Sequence, residues 1–212
     1  MSLLTEEDRK AIEEAIKKAE AATSGEIVFA TADASANYQH ATLQGAIIGM
    51  AVVTAVYLMI PLAHTTTGLL WTEVLSFAFF YALLPRVSWR RWIISKQEMD
   101  ARVQEAAFMQ FYSSGLYRTR ESNGVEIYLS ILEREVVVIG DRAIHEKMGD
   151  QHWQEIRDLI ILGIKKGDAR SGICEAIENC SKVLAEYFPP RTDDINELSD
   201  RIINRSLHPE AP

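Results

Sequence analysis

Two carboxylates stand at strand-like boundaries, where they could do chemistry. Glu26 opens the run Glu26-Ile-Val-Phe-Ala-Thr31, and Asp141 follows Ile139-Gly140. Carboxylates that converge with loop carbonyls can hold a hard cation such as Ca2+ or Mg2+. Asp141 has a competing reading as the cap of a short helix at Ala143 to Met148, and Glu26 has a structural one. A second group, Asp33 with Glu133 and Arg134, offers either a polar contact surface or a solvated turn with ordinary charge pairing.

Patterns that would specify an enzyme are absent. Neither Cys174 nor Cys180 has an arginine six positions on, no Asp-x-Asp follows a strand, and Gly163-Ile-Lys-Lys-Gly-Asp168 is not a phosphate-cradling loop. His145-Glu146 lacks a second histidine at the spacing of a zinc protease, so His145 and His152 read as exposed helix residues. The two cysteines lie about 9 Å apart along a helix, too far for a disulfide. Cys180 shares an apolar stripe with Ile173 and Ile177 and reads as core. No catalytic residue is assigned, and no cofactor beyond the candidate cation.

The elements that would position these groups follow from periodicity. Thr5-Glu6-Glu7-Asp8 reads as a helix start, Ile12, Ala15, Ile16 and Ala19 as its buried stripe, and Gly25 as its stop. After the Glu26 strand and a long apolar region, Met99, Val103, Ala107 and Phe111 mark an amphipathic helix ending at Gly115. Val125 to Ile131 and Glu135 to Ile139 then read as a hairpin joined tightly at Glu133-Arg134. Two closing helices carry Trp153, Ile156, Ile160 and Ile164, then Ile173, Ala176, Ile177, Cys180 and Leu184. Strand, crossover helix and strand predict a parallel pair to which the hairpin adds an antiparallel edge. The fold class is α/β, a small twisted mixed sheet flanked by helices. Under this topology Glu26 and Asp141 meet at one sheet end.

Charge is spread unevenly. The 212 residues carry 22 basic and 30 acidic side chains, yet Glu73 is the only formally charged residue from Ala41 to Pro85. Two apolar runs there, Leu43 to Ile60 and Leu69 to Leu84, approach the length needed to cross a bilayer. We therefore expect an inserted two-helix transmembrane hairpin at residues 41–85, with the lipid bilayer as a partner. Glu73 falls in the first turns of the second span, where a carboxylate costs least. The discontinuous domain is then 1–40 plus 93–190, residues 86–92 are a juxtamembrane segment, and 191–212 are an acidic tail without a clear apolar pattern.

Arg86, Arg90 and Arg91, interleaved with Trp89 and Trp92, form a membrane-interface belt, while the connecting loop has no Lys or Arg. The positive-inside rule then places both termini and the α/β domain in the cytoplasm. The first ten residues lack an apolar core and read as no signal peptide. A net charge of −8 argues against a nucleic-acid partner.

Several stretches together resemble the TPM domain, known from thylakoid-lumen, photosystem II repair and nematode receptor-modulator proteins. They are Glu20-Ala-Ala-Thr-Ser-Gly-Glu-Ile27, Phe111 through Gly115-Leu116 with Thr119, Gly124-Val-Glu-Ile-Tyr-Leu-Ser130, Glu133-Arg134, Val136 to Asp141, and Trp153. The end, Phe188-Pro189 to Asn196-Glu-Leu-Ser-Asp200, is similar to the bacterial membrane-protein branch, which implies an inner-membrane location. The resemblance implies a mixed sheet flanked by helices but no single activity, since relatives divide between acid phosphatases and metal- or partner-binding modules. The reading favoured is a membrane-anchored, non-enzymatic interaction or assembly module with an unknown membrane protein as partner. The alternative is a metal-assisted phosphatase.

Overall fold

A computed structural model describes residues 3–61, 65–84, 90–145, 147, 150–191 and 202–205. The chain divides into two compact units, Met1–Ser35 with Arg102–Pro212, and Ala36–Ala101. In order, the elements are α1 (Glu6–Glu20), β1 (Glu26–Ala32), α2 (Gln39–Met59), α3 (Thr66–Leu83), α4 (Arg90–Ile93) and α5 (Lys96–Ser114). Then come β2 (Gly124–Ser130), β3 (Glu135–Gly140), α6 (Arg142–His145), α7 (Asp150–Lys166), α8 (Ala169–Tyr187) and β4 (Ile203–Arg205).

The sheet runs β3-β2-β1-β4. β1 pairs parallel to β2 from Glu26↔Gly124 to Ala32↔Ser130, and β2 pairs antiparallel to β3 from Val125↔Gly140 to Ser130↔Glu135. Every residue of β1 and β2 is buried, as parallel strands covered on both faces must be. One face carries Ile27, Phe29, Val125, Ile127 and Leu129 against Ile12 and Ile16 of α1, Ile156 and Ile160 of α7, and Ile173, Ile177 and Leu184 of α8. On the other face Ala30, Ala32 and Tyr128 meet Val103, Ala106 and Ala107 of α5, and Val28 meets Phe111. Burying one aliphatic side chain contributes about 1.5–3 kcal/mol, so the first face dominates stability.

Local chemistry sets the helix ends. Thr5 caps α1 reciprocally: its hydroxyl oxygen accepts from the Asp8 amide at 3.2 Å, and its own amide donates to Asp8 Oδ2 at 2.9 Å. The Thr5 backbone N–H, then its hydroxyl, hold the Asp8 carboxyl below the usual range. α1 ends at Glu20 with Ala21 in a right-handed conformation, so Gly25 does not stop it. Gly25 instead precedes β1, where a Cβ would meet Leu184 Cδ1 at 3.2 Å and the Asn123 carbonyl at 3.3 Å. Gly115 (φ 83°) does end α5, and its predicted stripe of Met99, Val103, Ala107 and Phe111 is buried.

In the 36–101 unit, α2 and α3 form a helical hairpin, with Gly45 against Leu84 and Gly49 against the Phe80 ring. Thr65 caps α3 by accepting from the Gly68 amide at 3.1 Å. The helix therefore starts before Leu69, and Glu73 lies about 10 Å along it, near the end of its second turn. Two more differences concern connections. β2 and β3 are joined by a four-residue turn, Ile131 to Arg134, with Arg134 left-handed at φ 56°. The tail is not patternless, because Ile203–Arg205 forms a fourth strand parallel to β1 at Ala30–Ala32.

α7 and α8 meet backbone to backbone at Gly163 and Gly172. A Cβ on Gly172 would lie 2.8 Å from both the Gly163 Cα and the Leu159 carbonyl, backbone atoms that cannot swing aside. Gly172→Ala should therefore destabilise the domain by about 1–3 kcal/mol, lowering its melting temperature by roughly 3–10 °C. A melt within a degree of the parent in a calorimetric scan would contradict this packing.

Candidate functional site

The face covered by α5 holds most of the polar residues of β1 and β2. Pairing register puts Glu26, Gly124 and Asp141 in one row, extended past β3 by the Asp141 amide donating to the Gly124 carbonyl at 2.8 Å. Glu126 lies in the next row between Val28 and Ile139 and is 0 % exposed. Glu26 and Asp141 thus share a sheet end, about 10 Å apart across two strand spacings. Leu116 occupies the position between them: a Cβ on Gly124 would come within 2.5 Å of its Cδ2.

Asp141 opens α6. Its carbonyl accepts from the Ile144 and His145 amides at 3.0 and 2.9 Å, and its Oδ1 accepts from the Arg142 amide at 2.7 Å. The side chain therefore reaches the first helical amide rather than the second or third, where capping side chains usually bond. Its Oδ2 is buried and takes no hydrogen bond from the described residues. Among those residues, no group of three or more His, Cys, Asp or Glu has a metal-site arrangement.

The opposite end of this face carries a hydroxyl–carboxylate relay. Ser35 Oγ donates to Ser130 Oγ at 2.7 Å, and Ser130 Oγ donates to Glu133 Oε2 at 2.5 Å. Glu133 Oε1 accepts from the Ser35 amide at 3.0 Å, and Tyr128 Oη lies 3.2 Å from Ser35 Oγ. The ladder continues beyond the strands through Ile131 N–H to the Ala32 carbonyl and Leu132 N–H to the Asp33 carbonyl. Glu133, expected on a contact surface or solvated turn, is instead only 4 % exposed, because Ser35 and Ser130 draw it inward. Asp33 and Arg134 remain exposed. A serine hydrogen-bonded to a carboxylate resembles a nucleophile with its base. Here both are buried and the carboxylate is committed to a backbone amide, so the group acts as a latch.

A second lock holds the start of β1. Thr23 Oγ1 donates to the Phe188 carbonyl at 2.6 Å, the Ser24 amide bonds the same carbonyl at 3.0 Å, and Asn123 Nδ2 donates to the Ser24 carbonyl at 2.6 Å. Arg191 pairs with Glu121 at 2.7 Å. The two cysteines are free: burial pushes the Cys180 thiol up to about 12, and raises the half-buried Cys174 as well. His145 and His152 are exposed. Of the interface belt, Trp92 is 91 % exposed, Arg90 and Arg91 lie in α4, and Arg86 and Trp89 lie outside the described residues.

Sequence reasoning missed Glu126, Ser35, Ser130 and Tyr128. Glu126, Tyr128 and Ser130 were signalled by the alternation Gly124, Glu126, Tyr128, Ser130 against Val125, Ile127, Leu129, whereas Ser35 had no such signal. Such alternation ordinarily marks a solvated face, but α5 covers this one.

If the relay is structural, Glu133→Ala leaves the Ser35 amide and the Ser130 hydroxyl without their acceptor. The expected loss is about 2–4 kcal/mol, read by urea denaturation, whereas Asp33→Ala should change stability by less than about 0.5 kcal/mol. Equal effects of the two substitutions would refute the latch.

Residues 90–183 match the family model of the TPM domain. No curated protein sequence matches the chain. Among solved structures, the chain is similar to the NMR structure of BA42 protein from the psychrophilic bacterium Bizionia argentinensis. That match has 25% identity and a TM-score of 0.61, covering 96% of this chain and 97% of the other. The chain thus has a mixed four-stranded sheet flanked by helices, and its residues 90–183, which hold β2, β3 and the surrounding helices, match the TPM domain.

Proposed function

We propose that this TPM domain is a membrane-anchored, non-enzymatic interaction module that supports assembly or maintenance of a membrane complex. The observation that carries the reading is the exposure of α2 and α3. Helices of 21 and 18 residues span about 31 and 27 Å at 1.5 Å per residue, close to the hydrocarbon thickness of about 30 Å. Only 17% and 6% of their apolar windows are buried, whereas a core helix of a soluble protein is mostly buried. Their outward residues include Ile48, Val52, Val56, Trp71, Leu75 and Phe79. Small residues at the α2–α3 contact, Gly45 and Gly49, suit helix association in lipid. Both termini and the domain face the cytoplasm in this reading.

Support for a protein partner comes from the outer side of α5 and the turn after it. Phe108, Met109, Tyr112 and Tyr117 are exposed there, and Arg118 lies over the Tyr117 ring, 5.1 Å from its centroid. Aromatic residues, Met and Arg are enriched at protein interfaces. A divalent cation is a secondary part of the proposal, favoured by the buried Asp141 Oδ2.

Two experiments test this. The chain should sediment with membranes and resist carbonate extraction. Cysteines at Thr66 and Ser122, in a background without Cys174 and Cys180, should react with an impermeant thiol reagent in intact cells at position 66 only. Labelling at 122 inverts the topology, and carbonate release removes the anchor. Partners crosslinked in detergent-solubilised membranes should fall at least fivefold on combined Met109→Ser and Tyr112→Ser; unchanged recovery would remove that surface from the proposal.

The cation is tested by melting the chain in detergent. An ion at about 100 times its Kd stabilises the native state by roughly 2.7 kcal/mol, a rise of roughly 5–10 °C at this size. Millimolar Ca2+ or Mg2+ should raise the melting temperature of the parent but not of Asp141→Asn. Equal rises, or none, would dismiss the cation.

A further inference from the structure

Glu73 is the only formally charged residue from Ala41 to Pro85, and the register of the α2–α3 hairpin shows what faces it. Gly45 lies against Leu84, Gly49 against the Phe80 ring, and Gly68 against Tyr57 Oη. Thr54 falls between Gly49 and Tyr57 at about the fraction at which Glu73 falls between Phe80 and Gly68, so the two residues stand level. Both are half-buried, whereas Val52, Val56, Trp71, Val74 and Leu75 beside them are exposed. The hydroxyls nearby are unequal. Thr72 Oγ1 donates to the Gly68 carbonyl at 2.9 Å, and Ser76 Oγ donates to the Glu73 carbonyl at 3.1 Å, the back-bonding common for hydroxyls within helices. Thr54 makes no such bond: its Oγ1 is buried and has no hydrogen bond from the described residues. Neither helix carries Lys or Arg. Arg90 and Arg91 belong to α4, which meets α2 through Ile93 at Gly45, about 14 Å along α2 from Thr54. The other titratable residues of the two helices are His40 at the start of α2, Tyr57, and the exposed Tyr81.

We propose that Glu73 and Thr54 form an intramembrane proton-binding site, in which the Glu73 carboxyl, as the neutral acid, donates to Thr54 Oγ1. A carboxylate in hydrocarbon with no cation beside it is costly. Taking up one proton removes that charge, and the O–H so formed meets a buried hydroxyl oxygen that lacks a bond. Threonine suits either state, because a hydroxyl both accepts and donates. It accepts from the acid, and it turns its own proton toward the carboxylate when the acid proton leaves. One proton is exchanged and no other bond forms or breaks. Glu73 is about 10 Å from the start of α3 and Thr54 about 8 Å from the end of α2, so the site lies toward the connecting loop, the side from which a proton reaches it. The inference rests on the membrane-anchor reading and adds to it a group whose charge the loop-side solution sets.

The probe is dicyclohexylcarbodiimide, an apolar reagent that adds to a protonated carboxyl within lipid, with a water-soluble carbodiimide as its control. In membranes holding the full chain, mass spectrometry should find the apolar reagent on Glu73. The water-soluble reagent should modify the exposed Asp33 and leave Glu73 alone. Stability is read by melting the full chain in detergent. Glu73→Gln keeps a neutral donor toward Thr54 and should melt like the parent. Thr54→Val should lower the melting temperature of the parent but not that of Glu73→Leu, because changes to two groups in contact do not add.

An unlabelled Glu73 in a chain that resists carbonate extraction overturns the proton site and leaves the anchor standing. Carbonate release, with Glu73 as open to the water-soluble reagent as Asp33, overturns both. Labelling of the purified chain but not of the chain in its native membrane would give the carboxyl to a cation on another membrane helix and overturn the proton. A Glu73→Gln chain that melts well below the parent would show that the ionised form is the one held, which also overturns the proposal. Additive effects of Thr54→Val and Glu73→Leu would overturn the pair.

Discussion

Seven consecutive pairs between β1 and β2 govern the rest of this structure, because the pairing is parallel. Parallel neighbours cannot be joined by a tight turn, so the chain must leave β1 at one sheet end and return to β2 at the other. Residues 33–123 make that journey here, with the α2–α3 hairpin and α5 inside it. The entropy of closing a loop grows slowly with length, so a crossover can accept an inserted hairpin at small thermodynamic cost if its two ends are held. They are held. Ser35 and Glu133 fix the exit from β1, and Asn123 bonds the Ser24 carbonyl where β2 begins.

Covering a parallel pair on both faces has a second consequence. The face toward α5 carries Glu26, Glu126, Tyr128 and Ser130, polar groups that water would satisfy on a solvated face. Burial makes each of them costly unless bonded, and the Tyr128, Ser35, Ser130 and Glu133 relay is how this chain meets the cost at one end. Ala106 and Ala107 allow α5 to come close above it. The latch and the helix cover therefore depend on each other: removing the cover would leave the relay open to water, and removing the relay would leave buried hydroxyls unbonded.

Periodicity made most of this legible. The stripe Ile12, Ile16 and Ala19 marked α1, the two runs joined at Glu133-Arg134 marked β2 and β3, and the order of elements predicted the parallel pair and the antiparallel edge. Local signals failed where a distant residue decides. Glu133 read as a turn residue because its partner Ser35 lies 98 positions away. β4 was invisible because three residues cannot show a period, and Ile202-Ile203 gain their meaning only from the recess on β1. The approach of Glu26 to Asp141 was legible as a shared sheet end, but Leu116 between them was not, since Gly124 carries no trace of what sits on it.

The distribution of polar and apolar groups bears on what kind of function this fold serves. Its best chemical grouping, serine beside carboxylate, is buried and occupied in holding the β2–β3 turn to the end of β1. The carboxylate row is interrupted by an aliphatic side chain. The relay of Tyr128, Ser35, Ser130 and Glu133 is aimed inward, each group at the next. What the domain turns outward is of another kind: Phe108, Met109, Tyr112 and Tyr117. Side chains of that composition are enriched at protein interfaces. That exposed surface is what the proposed interaction reading rests on, while the buried polar groups hold the sheet ends together beneath it.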